Sequence, residues 1–113
     1  MNCISYVYLI IYNMKSYYPF FANLANPLKI KIITALKEGE MSVSDLTKKL
    51  DIEQSKLSHA LTSLRHCSIV QVKKDGKKRI YLLNKKTILP MLEIIDKHEK
   101  EFCKECRALR GKL

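Results

Sequence analysis

The sequence predicts a mainly α-helical domain with one β-hairpin, in the order of a winged helix-turn-helix. Three observations predict it. Residues 52–65, IEQSKLSHALTSLR, set Leu57, Leu61 and Leu64 at helical spacing. A shorter amphipathic stretch that opens on Ser42 precedes them. Asp75-Gly76, between two β-type runs, follows them, and that dipeptide is a strong hairpin signal.

Element by element, the chain begins with MNCISYVYLIIYN, an uncharged apolar leader. It is shorter than the about 20 apolar residues of a membrane span, and it lacks the charged start and small-residue cleavage site of an export signal. Met14-Lys15 follows directly, so translation is expected to start at Met14; otherwise residues 1–13 form an extra element packed on the body. Residues 14–113 then form a single domain.

Residues 18–25 read as a short aromatic-rich helix. Asn26-Pro27 starts the next, with Asn as N-cap and Pro at the first helical position. Leu28, Ile32, Ile33 and Leu36 mark its buried face through Glu38, and Gly39 stops it. Ser42 opens a third helix, with Asp45 in a partial capping box and Val43, Leu46 and Leu50 as apolar positions. After Asp51-Ile52 a fourth helix runs to about Cys67, so the helix-turn-helix covers about 42–67. The wing covers about 69–83: its tip reads KKDGKK, and Ile80 and Leu82 share one face. A last helix is expected over about 87–109, with Pro90 in its first turn, where proline is tolerated.

Charge narrows the function. Lys+Arg number 21 against 11 Asp+Glu, a net charge of +10. That imbalance calls for an anionic partner. The positive residues concentrate on a hairpin beside a helix-turn-helix rather than along one amphipathic stripe, which favours double-stranded DNA and no membrane. With Leu57, Leu61 and Leu64 inward, Ser55, His59 and Thr62 point outward, flanked by Gln54, Lys56, Ser58 and Ser63. Short hydrogen-bonding side chains suit a groove better than solvent, where the stronger helix formers Glu and Lys are usual. His66 suits the helix C-terminal dipole. Lys73, Lys74, Lys77, Lys78 and Arg79 are placed for phosphates, which fix position rather than sequence. The rival reading is a winged helix that binds protein, which predicts no DNA affinity even at low salt. No phosphate loop, paired-carboxylate motif or nucleophile elbow is present, so the chain does not read as an enzyme. The four cysteines, Cys3, Cys67, Cys103 and Cys106, form no secreted disulfide framework, so a cytoplasmic protein with reduced thiols is expected.

FANLANPLKIKIITAL and MSVSDLTKKLDIEQSKLSHALTSLRHCSIVQVKKDGKKRIYLL resemble the ArsR-type winged-helix repressors over residues 21–83. The shared features are the N-P-x-x-x-x-I opening helix, the Q-S-x-[VL]-S-x-x-L recognition helix and a short wing. The resemblance implies a homodimer joined through its terminal helices, with recognition helices in successive major grooves about 34 Å apart. It also implies repression relieved by a small effector, often a metal ion. The interface residues expected are Tyr17, Phe20 and Phe21 with Ile88, Met91, Leu92, Ile95, Phe102, Cys106 and Leu109.

Two departures bear on metals. Thiolate sensors of the family carry C-V-C-D-L where this chain has Ser42-Val43-Ser44-Asp45-Leu46, and hydroxyls do not replace thiolates for soft metals. Asp96-Lys97-His98 matches the opening of a second family site, but Leu109 and Lys112 stand where later ligands belong. Asp96, His98, Cys103 and Cys106 are therefore the candidates for zinc, and only across a dimer, because Asp96 and His98 diverge on one helix. The expectation is no cofactor, with Cys106 packed in the interface and a zinc-responsive repressor as the alternative.

Overall fold

In a computed structural model the structure describes residues 17–103; the leader, Met14, Cys106 and Leu109 lie outside them. The elements are α1 (Tyr17–Leu24), α2 (Pro27–Glu38), β1 (Met41–Ser42), α3 (Val43–Leu50), α4 (Gln54–His66), β2 (Val70–Asp75), β3 (Lys78–Leu83) and α5 (Ile88–Phe102). The strands form one antiparallel sheet in the order β1-β3-β2. This is a winged helix-turn-helix.

The helix starts follow from local chemistry. Asn26 Oδ1 accepts the Lys29 amide at 3.1 Å, and Pro27 occupies the first position, where no amide partner exists to lose. Ser42 and Asp45 form a full reciprocal capping box, both bonds 3.1 Å. That box holds the Asp45 carboxyl below its ordinary range, through the Ser42 amide first, then the Ser42 hydroxyl, with smaller help from Lys78 and Lys48. Its contribution is complete above the ordinary aspartate pKa and is lost only as pH falls through the lowered value.

Asp51 ends α3 in the left-handed region, φ 52 and ψ 53, and so makes the turn between α3 and α4. Aspartate tolerates that region; a β-branched residue does not. Asp51→Val should therefore lower stability by about 1–2 kcal/mol, whereas Asp51→Gly should leave it equal or higher. Urea denaturation of both variants checks this; equal loss in both would mean that the Asp51 side chain, not its backbone, matters.

The core lies where α2, α3 and α4 meet the inner face of the sheet. Ile32, Leu46, Leu57, Leu61, Leu64 and Ile69 are fully buried, with Val70, Tyr81 and Leu83 from the wing strands and Ile88 from α5. Leu57, Leu61 and Leu64 do face inward, as their spacing predicts.

Two details differ from expectation. Gly76 and Lys77, not Asp75 and Gly76, form the hairpin tip, because Asp75 pairs with Lys78. Gly76 has φ 64 and Lys77 has no positive φ, the pattern of a Gly-first two-residue turn. The register places Val70 opposite Leu83 and Val72 opposite Tyr81, so apolar residues meet on one face. Centring the turn on Asp75-Gly76 would instead set Val72 against Arg79. Secondly, β1 is a strand of two residues, with Met41 opposite Tyr81 and Ser42 opposite Ile80.

Candidate nucleic-acid interface

Helix α4 presents the outer face that its sequence implies. Gln54, Ser55, Lys56, His59 and Thr62 are exposed, Ser58 is half-buried, and Arg65 and His66 extend the exposed row. Two hydroxyls already have partners. Ser55 Oγ donates to Glu53 Oε1 at 2.7 Å, and Thr62 Oγ1 donates to the Ser58 carbonyl at 2.9 Å.

Ser63 does not belong to that face. It is half-buried, donating to Asn23 Oδ1 at 2.9 Å and accepting from Lys29 Nζ at 3.0 Å. Asn23 Nδ2 donates to the Ser63 carbonyl at 3.2 Å and to Cys67 Sγ at 3.1 Å, and Lys29 Nζ also donates to Asn23 Oδ1. This clasp ties α1 and α2 to the side of α4, which is why the helical wheel alone misassigned Ser63.

The wing carries the charge. Lys73, Lys74, Lys77, Lys78 and Arg79 are all exposed. Lys73, however, is ion-paired with Glu40 at 2.9 Å, a contact that lowers the Glu40 pKa. Lys74 lies directly opposite Arg79 across the ladder. Like charges opposite one another destabilise a strand pair, so the free protein bears a repulsion that an anion would relieve.

Between the start of α3 and the wing lies an open depression of 420 Å³ lined by Ser42, Val43, Ser44, Asp45, Lys48, Lys78 and Arg79. Lys48 was missed in the sequence. It lies 30 residues from Lys78 in a run of ordinary helix-surface residues, and only the packing of α3 against β3 brings them together.

The same region settles what the Ser-Val-Ser-Asp segment does. Ser42 Oγ and the Asp45 carboxylate are both committed to the capping box, and neither is a thiolate. These residues do not fit a soft-metal site. On α5, Asp96 is ion-paired with Lys37 of α2, and the His98 ring lies 5.4 Å from that of Phe102. Among the described residues no group of three or more His, Cys, Asp or Glu converges as a metal site. Cys67 is a free, exposed thiol. Cys103 is disulfide-bonded, which corrects the expectation of a reduced thiol at that position. Cys103 lies just past the end of α5, which stops at Phe102.

The terminal helices show a second surface. Among the described residues the exposed large hydrophobic ones are Tyr17, Tyr18, Phe21, Ile30, Ile94, Ile95 and Phe102, and all but Ile30 lie on α1 and α5. Phe20 and Ile88 do not join them. Ile88 is 3% exposed within the chain's own core, and Phe20 packs against that core while its ring meets Phe21 edge-on at 5.4 Å. Met91 and Leu92 are half-buried on the same core. The expected interface thus divides: one side of each helix anchors it to its own chain, and the other is open. Among the described residues no helix is long and apolar enough to cross a membrane.

Comparison with known proteins agrees with this arrangement. Residues 26–72 match the family described as bacterial regulatory protein, arsR family. The biofilm growth-associated repressor of Agrobacterium fabrum is 35% identical over 72 residues, covering 64% of this chain and 62% of that protein. The transcriptional activator HlyU of Vibrio cholerae is 31% identical over 72 residues, 64% of this chain and 67% of HlyU. The reduced HlyU structure superposes with a TM-score of 0.67 at 25% identity, over 84% of this chain and 97% of that one. The matched stretch thus spans about two thirds of the length of these two relatives. The HTH-type transcriptional regulator Rv0081 of Mycobacterium tuberculosis is 33% identical over 88 residues, 77% of this chain and 75% of Rv0081. Its crystal structure superposes with a TM-score of 0.70 at 30% identity, over 90% of this chain and 95% of that one. A helix-turn-helix with a polar reading face, a lysine-ringed wing and this degree of likeness lead to one assignment: the chain belongs to the arsR family of bacterial regulatory proteins.

Proposed function

We propose that this chain is a cytoplasmic, homodimeric transcriptional regulator that binds double-stranded DNA sequence-specifically and performs no catalysis. The observation that carries the reading is the wing. Lys74 and Arg79 oppose one another, with Lys77 and Lys78 beside them, in a charge cluster that suits a phosphate backbone and is unfavourable without one. Helix α4 supplies the groove-reading face through Gln54, Ser55, Lys56, His59 and Thr62. Lys48 joins Lys78 and Arg79 at the backbone. The exposed apolar sides of α1 and α5 pair two copies. Relatives include both a repressor and an activator, so the family alone does not fix the sign of regulation. Metal control through the Ser42–Asp45 segment is not proposed, because those side chains are spent on the helix cap.

Selection from a random DNA pool tests the reading. A recovered palindrome supports it; no retention at low salt favours a protein-binding winged helix instead. Lys77→Ala with Lys78→Ala should weaken binding to operator and random DNA alike. It should also reduce the slope of log K against log salt by about 2 for each subunit, and so by about 4 for the dimer, close to one for each lost phosphate contact. An unchanged slope would remove these lysines from the interface.

A further inference from the structure

Glu53 occupies the N-cap of α4, where Ser, Thr, Asp or Asn is the usual choice. Its backbone performs the capping role, with φ −56 and ψ 136 and a carbonyl that accepts the Leu57 amide at 3.1 Å. Its side chain makes no cap hydrogen bond. The carboxylate accepts the Ser55 hydroxyl at 2.7 Å instead. Ser55 belongs to the exposed row that continues through His59 and Thr62, so this bond draws the carboxylate toward the reading face rather than back over the helix end.

A negative charge there runs against the positive balance of the chain. The chain is +10, and a carboxylate at the leading end of a groove-reading helix approaches phosphates that repel it. A serine would cap the helix better without that repulsion. A carboxylate gains at such a place when it meets a donor. Donors on the major-groove floor are the amino groups of cytosine and adenine. The adenine amino group lies between two acceptors, its own N7 and the O4 of thymine. The cytosine amino group lies at the edge of its pair, with acceptors on one side only. An acceptor-only side chain therefore selects cytosine.

We infer that Glu53 is a specificity-determining residue that accepts a hydrogen bond from the N4 amino group of one cytosine in each half-site, with Ser55 as the positioning residue that aims the carboxylate. This deepens the DNA-reading function and rests on it. The test is selection from a random DNA pool with the full wild-type chain, Glu53→Gln, Glu53→Ala and Ser55→Ala, alongside thermal melts to confirm folding. Wild type should prefer cytosine about tenfold at one position per half-site. Glu53→Gln should move that preference to adenine, since an amide pairs with N6 and N7 together. Glu53→Ala should lose the preference there, keep the rest of the motif and bind random DNA more tightly. Ser55→Ala should weaken the preference without abolishing it. If Glu53→Ala recovers the wild-type motif unchanged, the inference is overturned, and Glu53 serves only the helix dipole. If wild type recovers no motif, the DNA-reading function itself falls, and this inference with it. Should Glu53→Ala melt early, Glu53→Gln decides, because it keeps the side chain's size and hydrogen-bonding reach to Ser55.

Discussion

Leu61→Ala should cost the fold a large share of its stability and lower the melting temperature sharply. Leu61 is fully buried near the middle of α4 and belongs to the cluster that holds Ile32, Leu46, Leu57 and Leu64. Replacing a buried leucine by alanine removes its transfer free energy and leaves a cavity, at about 2–5 kcal/mol together. A domain of this size has about 5–15 kcal/mol in all, so the loss is a large share of it. The same change has a functional consequence. Leu57, Leu61 and Leu64 are the large apolar anchors that fix how far α4 stands out from the body, while its outer row is exposed. In the Leu61→Ala protein that stays folded, DNA discrimination should fall further than affinity for random DNA. Thr62→Ala provides the contrast: it is exposed, and its hydroxyl donates only to the Ser58 carbonyl, so stability should change by less than about 0.5 kcal/mol. Denaturant titration of both variants checks the ranking; equal stabilities would mean that the core does not centre on α4.

What the sequence made legible were features decided within a few residues. Asn26-Pro27 and the Ser42/Asp45 box are local hydrogen-bonding patterns, and both helices start where these residues place them. Leucine spacing revealed the inner face of α4, because burial has to follow the helical period. Features that depend on distant partners were not legible. Strand β1 has two residues, too few for any period, and exists because β3 offers it an edge. The hairpin tip moved one residue because the pairing of Val70 with Leu83 and Val72 with Tyr81 outweighs the local preference of Asp-Gly. Ser63 left the reading face for Asn23, 40 residues away. Lys73 looks like its wing neighbours in the sequence, yet Glu40, 33 residues away, holds it in an ion pair. In the candidate site, then, residue types and their order could be read from the sequence. Which of them are already engaged could not, since each engagement joins separate elements.

Loss of dimerisation is the other large effect expected. Truncation before Leu92 should give a monomer and lower operator affinity by about 10²–10⁴-fold, the factor by which a second linked site usually strengthens the first. Helix α5 divides its faces between its own core and solvent. Ile88 and Leu89, which would remain, join the core, while Ile94, Ile95 and Phe102, which would go, are 68%, 46% and 72% exposed. Tyr17, Tyr18 and Phe21 on α1 are exposed as well. Side chains this apolar are left in water by a lone chain but are buried when two copies meet. Truncation also removes Leu92 and the Lys37–Asp96 ion pair, so it disturbs the monomer too. Ile94→Lys separates the two effects. At 68% exposure the lysine costs the monomer little, yet it would place a charge in the core of the proposed interface. Ile94→Lys should therefore sediment as a monomer with an unchanged circular dichroism spectrum. It should keep its affinity for random DNA per subunit and lose its preference for paired half-sites over one. An Ile94→Lys protein that still sediments as a dimer and binds the paired site at full strength would move the interface away from α5.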